Sequence, residues 1–569
     1  MAYAEIYNTV RYFYPSKAVQ SINWDKFAIY GVREIQNCET QQALIEKLTA
    51  LFRPLCPEIK IDTTEIFSTN LYPLQKKSRR KYVHYGSGNP PSMFGITGLL
   101  YKLYKPYYTK IKNVTANDSL FWYKDSINRI YFAMPSAAVK GNTPDYKHIQ
   151  KAVDTITIKQ LDIKKRAGFL NADMRSHRLA SIIIAWGIFR HFYPYSNYNE
   201  VAWNDMLSEA LQNAVYGDKV DFYFCLRNML APLNDGHIFT MMAGQQGLVG
   251  FSFVGRKTDV FFKNINDTIV VEKGTSMLPQ GSIINAVNGT DVKDWIRDRE
   301  KYISAGPHYK RIQCAREFLT SYYPNRDTIF HLNFTTPDGQ ANIIDVPIKG
   351  FVLNEDSAAF IAHNNDIYVL KFSGMNAGTK TLHKILQAIS NDDSAKGVII
   401  DLRNSGFMDH KFLGFFTDTV LHSAPFKIPI ITYPKQKNNI RYRTDGFKIK
   451  PKRKKINIPV IFITDGSVLS YGESVMGIVD HYKLGYIVGE ATTGVNGDIA
   501  RLPLPVHNIM SYTGMRVDKH DGSPLFCIGI TPTHPVNTTV TDFQHGIDAP
   551  MQKALDIIKQ AYNEKKYNK

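Results

Sequence analysis

Cysteine is scarce in this chain: Cys38, Cys56, Cys225, Cys314 and Cys527 are the only five in 569 residues. The number is odd and no CxxC pair occurs, which argues against a disulfide framework and against a thiolate zinc site. No run reaches the ~18 apolar residues that a membrane helix needs. The nearest, Leu179 to Phe189, carries Ser181 and reads as a short buried helix. HExxH spacing, a P-loop and a GxGxxG turn are all missing, so neither a metal nor a cofactor is expected. The GxSxG elbow is missing too, because Val468 stands where its first glycine belongs. Residues 1–16 hold no basic-then-apolar secretion signal.

What remains is globular composition, 44% apolar and 21% charged. At ~150 residues per domain the length suggests roughly three or four domains. The net charge is +18, with its sharpest runs at Lys76 to Lys81 and Lys448 to Lys455. Both lie in polar stretches and read as solvated loops. No helix-turn-helix, zinc-finger or RNA-binding signature accompanies them, so no nucleic-acid partner is expected.

The chain repeats itself. Tyr12-Phe13-Tyr14-Pro15 matches His191-Phe192-Tyr193-Pro194, and Trp24 matches Trp203 at the same offset. Arg53-Pro54-Leu55 falls near the place of Ala231-Pro232-Leu233. Leu44, Leu48 and Leu51 carry helical spacing between these marks. Two helical segments, roughly 5–60 and 178–235, thus share one plan. The intervening 61–165, rich in Tyr, Thr and Gly, reads as irregular strands and loops. This gives an N-terminal domain over 1–165 and a second helical domain over 166–244.

Residues 245–352 read as short strands with turn signals, among them Gly281 to Val287 ahead of an Asn288-Gly289 turn. Asp291 to Ile303 looks helical. From 353 to 569 strand and helix alternate. Ile367–Phe372, Gly397–Asp401, Val460–Thr464 and Tyr486–Gly489 are apolar strands. Leu382, Ile385 and Leu386, then Val475, Ile478 and Val479, then Met551, Ala554 and Ile558 mark helix faces. Unbroken apolar strands between amphipathic helices predict a parallel sheet covered on both faces. The fold class is therefore multidomain α/β, with sites expected at the carboxyl ends of the strands.

Two strand ends carry candidate chemistry. Asp401-Leu402-Arg403-Asn404-Ser405-Gly406 ends in a glycine whose N–H can face an oxyanion, although a simple turn explains it as well. Ser470, in Ser467-Val468-Leu469-Ser470-Tyr471-Gly472-Glu473, joins a buried strand to a helix. The helix start favours negative charge, and the Tyr471 N–H can face an oxyanion formed when Ser470 attacks a carbonyl. A capping box between Ser470 and Glu473 explains both residues without chemistry. A serine nucleophile needs a base. His237, in the turn Leu233-Asn234-Asp235-Gly236-His237, is a candidate, and no lysine follows closely on the strand after the Ser470 helix, where one would be expected.

Taken together these segments resemble the C-terminal-processing peptidase family, in its tricorn-core branch. Leu233 to His237 is similar to its "L-x-D-G-H" turn, and Gly397 to Gly406 to its "G-x-I-x-D-L-R-x-N-x-G". Ser470 to Glu473 matches "S-A-x-E", and Ile487 to Gly494 matches "V-V-G-E-x-T-x-G". Thr513 to Arg516, Asp521 to Ser523 and Ile528 to Pro532 resemble the closing segments, with Asp542 and Gly546 to Asp548 beyond them. The resemblance implies a crotonase/ClpP-like core over 353–569 and a PDZ-like domain over 245–352. It implies a serine endopeptidase acting on peptides or unfolded protein. Its nucleophile would be Ser470, its base His237, and its oxyanion donors the N–H groups of Gly406 and Tyr471. The alternative on the same scaffold is a catalytically inactive peptide- or ligand-binding protein. Four positions depart from the family. Val495 stands where the Ser–Lys members have lysine, Phe526 where the tricorn branch has glutamate, Phe407 where the glycine-rich loop has a glycine, and Thr533 where an aspartate is usual. Asp521 is taken in place of that glutamate as the acidic partner. Family members usually carry export signals, so the resemblance points to the cell envelope. Oligomeric state is not legible.

Overall fold

The computed structural model describes residues 1–16, 21–66, 80–86, 107–110, 122–136, 145–156, 174–196, 201–242, 258–319, 329–347, 359–364, 366–372, 379–404, 409–506 and 508–567. The protein is a multidomain assembly of helices and sheets. Most of 61–165, including Lys76 to Arg79, lies outside the described residues; what is described there is mainly strand.

Two sets of three helices open the chain. The first comprises α1 (Ala2–Phe13), α2 (Trp24–Ile35) and α3 (Gln41–Phe52). The second comprises α4 (Arg175–Phe192), α5 (Trp203–Asn213) and α6 (Lys219–Leu230). Asn23 and Thr40 start α2 and α3 by accepting the backbone N–H groups of Lys26 and Ala43, the usual remedy for orphan donors at a helix start. The Tyr7 hydroxyl donates to the Trp24 carbonyl at 2.9 Å, and the Trp186 indole donates to the Trp203 carbonyl at 2.7 Å. These are equivalent bonds at equivalent positions. The Tyr12 ring lies 5.1 Å from Phe192, and its counterpart His191 lies 5.2 Å from Phe13. α1 and α4 cross where Asn8 faces Gly187. A Cβ at Gly187 would stand 1.9 Å from Asn8 Oδ1, so only glycine permits the approach.

Each set runs out into a three-stranded sheet. The first leads into β1 (Lys60–Asp62), which pairs with β5 (Ile130–Pro135), itself paired with β4 (Trp122–Ile127). Between β1 and β4 come β2 (Arg80–Tyr85) and β3 (Tyr107–Lys110). The second set leads into β6 (Phe239–Met242). This strand pairs with a hairpin from far down the chain, in the order β19 (Ile499–Pro503), β20 (Asn508–Thr513), β6.

A small β unit follows. Its strands are β7 (Phe261–Ile265), β8 (Thr268–Lys273), β9 (Ile283–Val287), β10 (Ile329–Thr335) and β11 (Ala341–Pro347), ordered β11-β10-β9-β8-β7. Helices α7 (Val292–Glu300) and α8 (Pro307–Arg316) lie between β9 and β10 in the chain.

The last unit is built on a six-stranded sheet of β12 (Ala359–Asn364), β13 (Ile367–Phe372), β14 (Gly397–Asp401), β17 (Val460–Thr464), β18 (Tyr486–Gly489) and β21 (His534–Pro535). Only β12 runs antiparallel to its neighbour. Val398, Ile400 and Phe462 pack against α9 (Thr379–Ile389) and α10 (Tyr471–Tyr482). Ile399, Ile461 and Ile463 pack on the other face against α11 (Ala549–Tyr567). Helices on both faces are why these strands are apolar without alternation. A fourth antiparallel sheet orders β16 (Arg441–Asp445), β15 (Phe426–Ile431), β2 and β3. Among the described residues no helix is long and apolar enough to cross a membrane.

Candidate active site

β17 ends at Thr464 and the chain turns through 465–469 into α10. At the corner Ser470 has φ 55° and ψ −112°, an unusual conformation for a residue with a Cβ. Its N–H donates to the Val495 carbonyl at 2.8 Å. The capping box expected between Ser470 and Glu473 does not form, since the Ser470 side chain makes no capping bond. Glu473 turns inward instead. One oxygen accepts the Thr492 hydroxyl at 2.5 Å and the Gly494 N–H at 2.6 Å, and the other accepts the Val495 N–H at 2.7 Å. Burial pushes its carboxyl up to about 7. Glu473 thus fastens the 492–495 loop, and that loop fastens the Ser470 backbone. The serine hydroxyl is left uncommitted to the helix end.

His237 closes the turn after α6. Asn234 takes a left-handed conformation there, and Asp235 Oδ1 accepts the His237 N–H at 2.9 Å. The Asp235 carboxylate also accepts the Thr513 N–H at 2.8 Å and the Thr513 hydroxyl at 2.7 Å. The same hydroxyl oxygen lies 2.8 Å from His237 Nδ1. A hydroxyl that donates to a carboxylate can still accept, which assigns the imidazole proton to Nδ1 and leaves a lone pair on Nε2. Nε2 is buried, with no hydrogen-bond partner among the described residues. Burial lowers the imidazole below its ordinary value of 6.5, against the opposing pull of Asp235. The result is a neutral ring with a basic Nε2.

The two turns meet at Val495. A Cβ at Gly236 would stand 3.1 Å from Val495 Cγ1, and the Val495 carbonyl holds Ser470. No hydrogen bond joins Ser470 Oγ to His237. Tyr471 heads α10, where the first N–H groups have no intrahelical acceptor. Its hydroxyl bonds to His410 Nδ1, and its ring stacks on Phe447 at 6.2 Å. Gly406 lies outside the described residues, but both of its flanks are tied to the serine turn. The Asn404 N–H donates to Ser467 Oγ at 2.7 Å on one side, and His410 meets Tyr471 on the other.

Asp521 is not brought to the histidine. It is exposed and closes its own turn by accepting the Ser523 N–H and hydroxyl at 2.9 and 2.7 Å. The carboxylate beside His237 is Asp235. Phe526 is buried and stacks on Tyr195 at 4.1 Å, and Thr533 ties β18 by two bonds to Ile487. Asp235 had a local signal, two residues ahead of the histidine. Thr513 had none, being 276 residues away.

α8 of the small β unit lies across these turns. Lys310 Nζ reaches Asn234 Oδ1 at 3.3 Å, and Arg316 reaches Asn404 Oδ1 at 3.2 Å. Among the described residues no cluster of His, Cys, Asp or Glu could hold a metal.

Residues 366–536 match the model of peptidase family S41. The fold is similar to that of mature CPAF complexed with lactacystin, with a TM-score of 0.56 at 13% identity, covering 68% of this chain and 99% of that one. A second structure of mature CPAF gives 0.56 at 13%, covering 68% and 98%. A putative peptidase from Parabacteroides merdae gives 0.40 at 15%, covering 68% and 96%. No curated protein matches the sequence.

Proposed function

We propose that this chain, a serine-type peptidase of family S41 by its residues 366–536, is an endopeptidase that cleaves peptides or unfolded protein through Ser470 and His237. The observation that carries this reading is a pair of uncommitted atoms on turns that share Val495. One is the Ser470 hydroxyl, on a strained corner and unused as a cap; the other is the unpartnered Nε2 of His237. His237 Nε2 takes the Ser470 proton as Oγ attacks the peptide carbonyl. The N–H groups of Tyr471 and Gly406 receive the oxyanion. The imidazolium then returns its proton to the leaving amine, and water activated by the same nitrogen releases the acyl group. Asp235, acting through the Thr513 hydroxyl, holds the ring in the tautomer this needs. Oγ and Nε2 come within reach when substrate closes the site, as apo catalytic bonds often tighten only then. The small β unit over 245–352 acts as a PDZ-like module on a crotonase/ClpP-like core over 353–569. The N-terminal unit is 1–165, the first helical repeat with a β or irregular insertion, the second helical unit is 166–244, and the chain works in the cell envelope.

A fluorophosphonate probe tests the reading. The wild type should be labelled and Ser470→Ala should not; equal labelling of the two would sink it. A second reading is a binding protein that does not turn over. It is favoured by the missing Ser470–His237 bond and by Phe526 in the glutamate position. Peptide binding without turnover, unchanged in His237→Ala, would support it instead.

A further inference from the structure

Between Lys435 and Lys455 the chain has ten Lys or Arg residues against one acid, Asp445. That excess is half of the net charge of +18, in 21 of 569 residues. The segment is not a disordered tail. It begins at the close of β15, forms the edge strand β16, and continues as a strap over the 3₁₀ helix Lys411–Phe416. The strap is fixed by Lys452 N–H to the Gly414 carbonyl at 2.7 Å and Ile456 N–H to the Phe415 carbonyl at 2.8 Å. Among the described residues β16 pairs with β15 alone, and its other edge is open. Arg441 and Arg443 are exposed, two residues apart, and so share a face. Lys448, Lys450 and Arg453 are exposed in the strap. Among the described residues Arg441, Lys448, Lys450 and Arg453 have no recorded ion pair, whereas Lys435 and Lys455 are neutralised by Glu5 and Asp418.

The two basic stretches are joined at the active site. Phe447, between them, stacks on Tyr471 at an interplanar angle of 16° and lies 4.2 Å from the His410 ring. Tyr471 is the residue after the proposed nucleophile. Exposed positive charge thus runs in from the strand edge, past the site, and out along the strap.

We propose that this strip docks acidic segments of the peptide substrate, an inference that rests on the peptidase reading above. A substrate strand added to the free edge of β16 satisfies its backbone groups and sets alternate side chains opposite Arg441 and Arg443. Aspartate or glutamate at those positions, and beyond them over Lys448, Lys450 and Arg453, meets charge of opposite sign. An open strand edge offers a peptide backbone what it does not offer a nucleic acid, and this is why a polypeptide is the assigned polyanion.

The test uses the full chain and two fluorogenic peptides with one scissile segment, flanked by an Asp/Glu run or by Ser/Gly. At low salt the acidic peptide should show KM roughly tenfold lower, a gap that closes at about 0.5 M salt. The triple variant Lys448→Gln/Lys450→Gln/Arg453→Gln should raise KM for the acidic peptide about tenfold and for the neutral one far less. Lys553→Gln/Lys559→Gln on α11 is the control for general charge and should leave the gap intact. Equal KM values in the wild type, or equal effects of the triple variant on both peptides, would overturn the proposal. Fluorescence anisotropy of the two peptides on Ser470→Ala reads docking without turnover, so failure of the peptidase reading remains distinguishable. A single-stranded oligonucleotide bound as tightly as the acidic peptide at the same salt would overturn the choice of partner.

Discussion

The two helical sets are one scaffold used twice, and only one use ends in a candidate base. Tyr7 bonds to Trp24 as Trp186 bonds to Trp203. Arg11 lies over Tyr7 as Arg190 lies over Trp186. Each set ends in a turn and an exit strand that pairs with the second strand of a hairpin. The difference sits at the last turn. Tyr14 donates to Glu58 at 2.9 Å, and the following Ile59 is a buried core residue. In the second set Tyr193 is buried near Asp235, its hydroxyl pushed up by burial and by that carboxylate. The Ile59 N–H donates to the Cys56 carbonyl at 3.0 Å as the Ile238 N–H donates to the Asp235 carbonyl at 2.9 Å, so His237 stands where Glu58 stands. The helices and their seam are common property. The residue type at one turn, and the strand that comes to meet it, separate a glutamate bonded to Tyr14 from a candidate base. Function is grafted onto a frame that stands without it.

Replacing one residue at the last turn of each set breaks the comparison most sharply. His237→Ile removes the imidazole from the second turn. It should lower kcat by at least about 10³-fold, while thermal unfolding shifts far less, because the Thr513 hydroxyl that faced Nδ1 still donates to Asp235. The reciprocal test is Ile59→Ala, which should cost about 2–5 kcal/mol of folding stability. Its kcat per folded molecule should match the wild type. Steady-state kinetics with thermal denaturation reads both. If His237→Ile retained activity, the proposed assignment of the base would fail.

The seam should respond alike from either side. Gly187→Ala puts a Cβ into Asn8, whose Nδ2 also donates to the Ile183 carbonyl at 3.0 Å. The crossing must then open, at about 1–3 kcal/mol. Asn8→Ala beside it should restore part of the loss, since the two substitutions share one contact. Denaturant midpoints of the single and double variants check this. Simple additivity would mean that the crossing is not the point of contact.

Much of this was legible in the sequence because it rests on local rules. The matched Tyr-Pro and Trp marks lie at helix ends and starts, where termination and burial dictate residue type. The apolar strands at 397–401 and 460–464 required helices on both faces, and those helices are present. The site was legible only in part. Ser470 and Glu473 fit a capping box by spacing, yet Glu473 does better inside, where it satisfies three donors of the 492–495 loop. A spacing rule cannot register that competition. Asp521 was taken as the acidic partner from its place in a motif, while the carboxylate beside His237 is two residues before it and its bridging hydroxyl arrives on β20. Contacts of that range are set by sheet pairing, which no local pattern encodes.

The smallest effect sharpens the comparison at the new partners. Thr513→Val removes the hydroxyl between Asp235 and His237 and keeps the side-chain volume. His237 Nδ1 then loses its acceptor, and the ring is held by packing alone. kcat/KM should fall roughly 10–100-fold, as for other groups that orient a catalytic imidazole. The fall should appear in kcat more than in KM, and Thr513→Ser should recover most of it. The pH profile gives a second reading. Burial holds the His237 ring below 6.5, so the acid limb of kcat/KM should lie below 6.5 in the wild type. The sign for stability follows from the same displacement. A depressed imidazole binds fewer protons folded than unfolded, so its stabilisation is complete above 6.5 and is lost as pH falls below that value. Met134, on β5 of the first sheet, is a buried core residue. Met134→Thr should therefore change stability and leave the pH profile of activity where it was. A shifted acid limb in that variant would mean that the first set is coupled to the site after all.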